Sequence, residues 1–146
     1  MLLNLVTALT NLWGIGAARR FAQSQRPMLA IAVVVAMSFS FAFHLVETDE
    51  LGHGMAGVAN GPSSYGPLLL WGDRLSVAVL AVMLLFSYHN QLSAAVFSRF
   101  AFALAVSLLS EIMPNPLLYT LVHSVWHVSV FHFTKLLALT DVSSAR

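Results

Sequence analysis

Four stretches of this sequence stay apolar for longer than a half-buried helix in water requires, and their length limits what can solvate the chain. Residues 28–46, 68–88, 91–113 and 116–139 each reach the roughly 17–25 residues that a helix needs to cross a hydrocarbon core. Their apolar residues come as runs rather than as one stripe, which marks segments solvated by lipid. A fifth run, residues 2–18, is shorter and stops at Arg19 and Arg20. The charge count agrees: only 9% of the residues are charged, where a soluble domain keeps about a quarter. The expectation is an all-α integral membrane protein. A single transmembrane domain over residues 1–146 would form a bundle of about five transmembrane helices, with residues 47–67, rich in Gly and turn residues, as an outer loop.

The first run, with Arg19, Arg20 and Arg26 after it and no acid before Glu47, can also be read as a signal or transit segment. Its length favours a retained helix, spanning or lying at the interface. With five helices and the N-terminus outside, Arg19, Arg20, Arg26, Arg99, Lys135 and Arg146 fall on the inner side and only Arg74 on the outer. Glu47, Asp49, Glu50, Asp73 and Glu111 gather outside, so the positive-inside rule predicts N-terminus out and C-terminus in. The compartment stays open between an endomembrane or plasma membrane and the mitochondrial inner membrane. A net charge of +1 implies no nucleic-acid partner, and the absence of cysteine excludes disulfides, thiolate metal sites and cysteine nucleophiles.

Ionisable residues inside membrane helices are expensive, and each one is a functional-site hypothesis. His44, Asp73, His123 and His127 are such residues. His123 and His127 are one helical turn apart on one face, and Ser40 and His44 repeat that spacing. The topology puts all of them toward the outer side. Three imidazoles and a carboxylate make a natural zinc set: three protein ligands leave a fourth position open, and a carboxylate beside it can orient a water and take its proton.

Ser40-Phe-Ala-Phe-His44, Asp73 at the start of the next helix, and His123-Ser-Val-Trp-His127 in the last helix resemble the motifs of the CREST superfamily of membrane hydrolases. That group includes alkaline ceramidases and the progestin and adipoQ receptors. Leu70-Trp-Gly-Asp-Arg-Leu-Ser76 and the His-Ser-Val-Trp-His string look most like the myomaker and transmembrane-protein-8 branch. The resemblance spans Ser40 to His127. It implies zinc held by His44, His123 and His127, Asp73 acting on water, Ser40 in support, and hydrolysis of a lipid amide or ester. The superfamily has seven helices where this chain has room for about five. A loss of two keeps the parity of the last helix but removes walls of a substrate pocket. The alternative is a non-catalytic accessory subunit of a larger membrane complex, possible in mitochondria, that keeps the metal site and touches other membrane subunits.

Plainer roles compete at each position. His123 and His127 could pack helices or ligate haem, Asp73 after Gly72 could be an N-cap, and Ser40 could be helix-packing glue. His53 and His89 fall in loops, and His132 lies about 180° around its helix from His123. Glu47 reads as an interfacial acid. Trp13, Trp71 and Trp126 read first as interface anchors or as packing, and Arg99 as a snorkelling cation.

Overall fold

A computed structural model describes residues 2–46, 65–91, 93–113 and 115–144, and all regular structure in them is helical. The chain forms α1 (Leu2–Thr10), a 3-10 turn (Asn11–Trp13), α2 (Gly14–Gln23), α3 (Pro27–Val46), α4 (Gly66–Tyr88), a second 3-10 turn (His89–Gln91), α5 (Ala94–Glu111) and α6 (Pro116–Ser144). The all-α membrane bundle is thus observed, with α1 and α2 joined as one rod among five. Three helical spans, α3, α4 with the turn after it, and α5, are long and apolar enough to cross a membrane. Only 17–33% of each span is buried inside the bundle, so the rest presents apolar surface outward. Most of the expected outer loop, 47–64, lies outside the described residues, and with it Glu47, Asp49, Glu50 and His53.

Several boundaries differ from expectation. The first rod continues to Gln23, because arginine is a good helix former and Arg19 lies exposed while Ala17, Ala18 and Phe21 are buried. It ends in a Schellman turn. Arg26 N–H donates to the Phe21 carbonyl at 2.9 Å and Gln25 N–H to the Ala22 carbonyl at 3.3 Å, with Gln25 left-handed at φ 57°. Pro27 then opens α3 at the position where a helix has no use for an N–H. Helix α4 starts at Gly66, two residues before the expected 68, with a proline in its first turn. Asp73 therefore sits inside the helix and is not its N-cap. Helix α5 starts later than expected, at Ala94, where Ser93 accepts from the Val96 N–H at 3.3 Å. Asn115 caps α6 by accepting from Leu117 and Leu118 N–H at 2.9 and 3.2 Å.

The α1–α2 rod lies against both α3 and α6, α4 packs on α3, and α5 packs on α6. Among the described residues α4 and α5 barely touch, so the helices form an open arc in the order α4, α3, first rod, α6, α5. One half of the bundle has an apolar core around Phe21, Leu29, Val33, Leu80, Leu84 and Phe131. On α3 the same buried face, Leu29, Val33, Ala36, Ser40 and His44, begins apolar and ends polar. Ser24 donates to the Ala138 carbonyl at 3.3 Å, which places the later part of α6 with Arg19–Arg26 at one end of the bundle. Arg74 and Glu111 pair at the other end.

The α3–α4 crossing depends on Gly72, where an added Cβ would stand 2.4 Å from Phe39 Cδ1. At Gly16 the nearest atom would be 3.6 Å away, an ordinary contact. Gly72→Ala should therefore cost ~1–3 kcal/mol by overpacking, whereas Gly16→Ala should be neutral or stabilising. Thermal unfolding in detergent checks the order, and an equal response of the two variants would contradict this crossing.

Candidate metal centre

Helix periodicity brings His44, at the end of α3, against His123 and His127 on α6. The rings form a triangle: centroids lie 4.9 Å apart for His44–His123, 5.1 Å for His44–His127 and 4.7 Å for His123–His127. One nitrogen from each ring lies within 4.8 Å of the other two, so the cluster could hold a metal ion. All three are buried.

The hydroxyls around the cluster determine which nitrogens face its centre. Thr10 donates its only hydroxyl proton to the Thr7 carbonyl at 2.6 Å, while its oxygen stands 2.9 Å from His127 Nδ1. With that proton committed, the contact is His127 Nδ1–H donating to Thr10, and the Thr7 carbonyl is a second acceptor for the ring. Ser110 repeats the arrangement. It donates to the Ser107 carbonyl at 2.6 Å, and its oxygen lies 2.9 Å from His123 Nδ1. In that tautomer both imidazoles carry the proton at Nδ1 and leave an Nε2 lone pair, the form that binds metals; Asn11 Nδ2 also lies 3.4 Å from His127 Nδ1. His123 Nε2 is buried and makes no hydrogen bond, as expected of a ligand atom awaiting an ion.

Ser40 and Asp73 complete the cluster from α3 and α4. Ser40 Oγ is 3.2 Å from His127 Nε2 and is also the hydrogen-bond partner of the Asp73 side chain. The serine proton points to the carboxylate when the imidazole lone pair is engaged elsewhere. Asp73 stands outside the three-nitrogen group, and its Oδ1 is buried without a partner. The tight crossing at Gly72 allows this approach.

Sequence reasoning located five residues that do converge and missed their supports. The first rod belongs to the site: Asn4, Thr7 and Asn11 form a buried polar stripe at helical spacing, which was visible in the sequence. Thr10 and Asn11 bond toward the Thr7 carbonyl, and the rod tightens there into its 3-10 turn. Ser107 and Ser110 form a similar pair on α5. Of the two roles expected for Trp126 the structure shows packing: it is buried against His123 and His127, with ring centroids at 4.9 and 4.7 Å. Trp13 and Trp71 are exposed, as anchors would be, and His132 faces away from the cluster.

The gap in the arc leaves a cleft of about 410 Å³ between α4 and α5, floored by Trp126 and Val130 of α6. Asp73 and Arg74 stand at one end of it, and Val77, Ala81, Phe100 and Leu104 make its apolar length. The Arg74–Glu111 ion pair bridges α4 and α5 at that end.

No protein family, curated protein or solved structure matches this chain. Fold and site together define its class as an all-α membrane bundle with a buried three-histidine cluster able to hold a metal ion.

The hydrogen bonds predict which outer contacts tune metal affinity. Thr10→Val and Ser110→Ala should each weaken binding by ~10–100-fold, while Thr10→Ser should retain it. Cobalt(II) titration followed by visible absorption reads the affinity, and unchanged binding in both variants would remove the proposed role of the hydroxyls.

Proposed function

We propose that this chain is a zinc-dependent hydrolase of a membrane lipid amide or ester, as its resemblance to the CREST superfamily implies. One observation carries the reading. Asp73, with one oxygen buried and unpartnered, stands between the imidazole cluster, which it meets through Ser40, and an apolar cleft that it lines. The cleft's volume falls within the ~300–1,000 Å³ of ligand pockets. His44, His123 and His127 would hold the ion. Zinc, when bound, polarises a carbonyl and makes water a nucleophile near neutral pH. Asp73 accepts the proton of the attacking water, and Ser40 holds the carboxylate in place. The apolar cleft takes the acyl chain, and its opening between α4 and α5 admits substrate directly from the bilayer. A compact ion suits the cluster better than haem, because the three rings meet edge to face with centroids 4.7–5.1 Å apart and leave no room for a macrocycle between any two of them.

The same open seam supports a second reading, an accessory subunit in which a helix of a partner fills the space between α4 and α5. In either case the cationic end, with Arg19, Arg20, Arg26 and Lys135, would face the inner side by the positive-inside rule, leaving the N-terminus outside and the C-terminus inside.

The test is hydrolysis of ceramide-like and phospholipid substrates in proteoliposomes, alongside metal analysis. Asp73→Asn should keep the metal and lose ~10²–10⁴-fold in turnover. His127→Ala should lose the metal and the stability that the ion contributes. A metal-replete wild type without turnover, indifferent to Asp73→Asn, would favour the accessory subunit. On topology, a tag beyond Arg146 and a protease site beside Arg20 should be reached from the same face of the membrane.

A further inference from the structure

We propose that the end of the bundle opposite the histidines carries a binding site for the phosphate of an anionic phospholipid headgroup. A cleft of about 310 Å³ there is lined by Gly16, Arg19, Arg20, Gln23 and Lys135. The four residues from α2 follow the i, i+3, i+4, i+7 spacing of one helix face, and Lys135 meets that face from α6. Lys135 lies across Gly16, where a Cβ would stand in ordinary contact at 3.6–3.9 Å from its Cδ, Cε and Nζ, and Arg19 and Arg20 line the same cleft.

Three cations thus share one cleft, and the acidic side chains that the structure describes, Asp73 and Glu111, are both at the far end of the bundle. Among the described residues the hydrogen-bond partner recorded within the cleft is neutral, since Arg20 Nη1 donates to Gln23 Oε1 at 3.4 Å. Cations gathered with no described acid beside them repel, and an anion seated among them removes that cost. Arginine forks and a lysine ammonium suit phosphate oxygens.

A lipid rather than free phosphate is favoured by what continues from the cleft. Leu12, one turn before Gly16 on the same face, and the adjacent Ile15 are exposed. The basic cleft therefore opens onto an apolar strip that runs toward the other end of the bundle, where acyl chains would lie. Basic pockets between helices at the inner membrane surface hold anionic headgroups in this manner. A general attraction of the cationic end for anionic lipid would involve Arg99 equally, but Arg99 lines a separate crevice with Phe100 and Phe133.

Native mass spectrometry of protein released from micelles with equal phosphatidylglycerol and phosphatidylcholine tests the site, independently of any metal or activity. The wild type should retain phosphatidylglycerol preferentially. Arg19→Gln and Arg20→Gln should each lower retention roughly five-fold, and the triple variant with Lys135→Gln on the order of a hundred-fold. Arg19→Lys, which keeps the charge and loses the fork, should weaken retention less than Arg19→Gln does, and Arg99→Gln should leave it unchanged. If Arg99→Gln weakens retention as much as Arg19→Gln does, or if both single glutamine variants bind normally, the site does not exist. If millimolar inorganic phosphate displaces phosphatidylglycerol completely, the cleft takes its anion from solution and the lipid assignment is overturned.

Discussion

Burial of polar side chains in a bundle solvated by lipid is the constraint on which the rest of this structure depends. No water stands by in the hydrocarbon layer, so each imidazole and hydroxyl has to find its partner inside the protein. The chain meets this by collecting most of its described buried polar groups into one layer, while Thr134, outside it, bonds back to the Val130 carbonyl of its own helix. Asn4, Thr7 and Asn11 come from the first rod, Ser40 and His44 from α3, Asp73 from α4, Ser107 and Ser110 from α5, and His123 and His127 from α6. Every rod contributes, and the apolar core occupies the other half of the bundle.

The layer explains the arc as well. The first rod sits between α3 and α6 because Thr10 and the Thr7 carbonyl satisfy the outer face of His127. α4 is drawn onto α3 by the Gly72–Phe39 crossing, with Asp73 reaching Ser40, and α5 onto α6 by the Ser110–His123 contact. No comparable polar contact joins α4 to α5 below Arg74 and Glu111 among the hydrogen bonds that the structure records. The two outer helices consequently stand apart along most of their length, and the cleft between them is the space left by helices each committed to another neighbour.

Much of the site could be read from the sequence because two rules fix depth and face together. The helical repeat put Ser40 with His44 and His123 with His127, and the distribution of basic residues put both pairs toward one end. The contributions that escaped reading have physical reasons. Threonine and asparagine in an apolar first run look like ordinary helix residues, and only the bend of that rod toward α6 turns Thr10 into a partner of His127. Trp126 reads as an interface anchor or as packing because indole suits that depth as well as a buried stack on two imidazoles. Asp73 reads as a site residue, with an N-cap as its rival role because Gly72 precedes it. The proline near Gly66 starts α4 earlier, and the glycine serves the crossing with Phe39 instead.

Magnitudes bear on whether this polar layer is only structural. A carboxylate at the centre of a membrane helix costs about 2.5–3.5 kcal/mol on insertion scales, an upper figure for Asp73, which lies two turns into α4. Hydrogen bonds between membrane helices return only ~0.6 kcal/mol each on average. The contact of Asp73 with Ser40 falls short of offsetting the first figure, and Oδ1 remains without a partner. Apolar residues at these positions would stabilise the bundle better than the network does. A bound ion changes the balance, since structural zinc contributes ~10–16 kcal/mol in small peptides at neutral pH. That gain accounts for the three imidazoles but not for Asp73, which lies outside the group of nitrogens. Asp73 keeps Ser40 as a hydrogen-bond partner and has the charges of His44 and Arg74 nearby. Yet its Oδ1 is buried without a hydrogen bond at the end of the α4–α5 cleft. It is therefore the member of the layer whose place a metal bound by the three imidazoles would not by itself require.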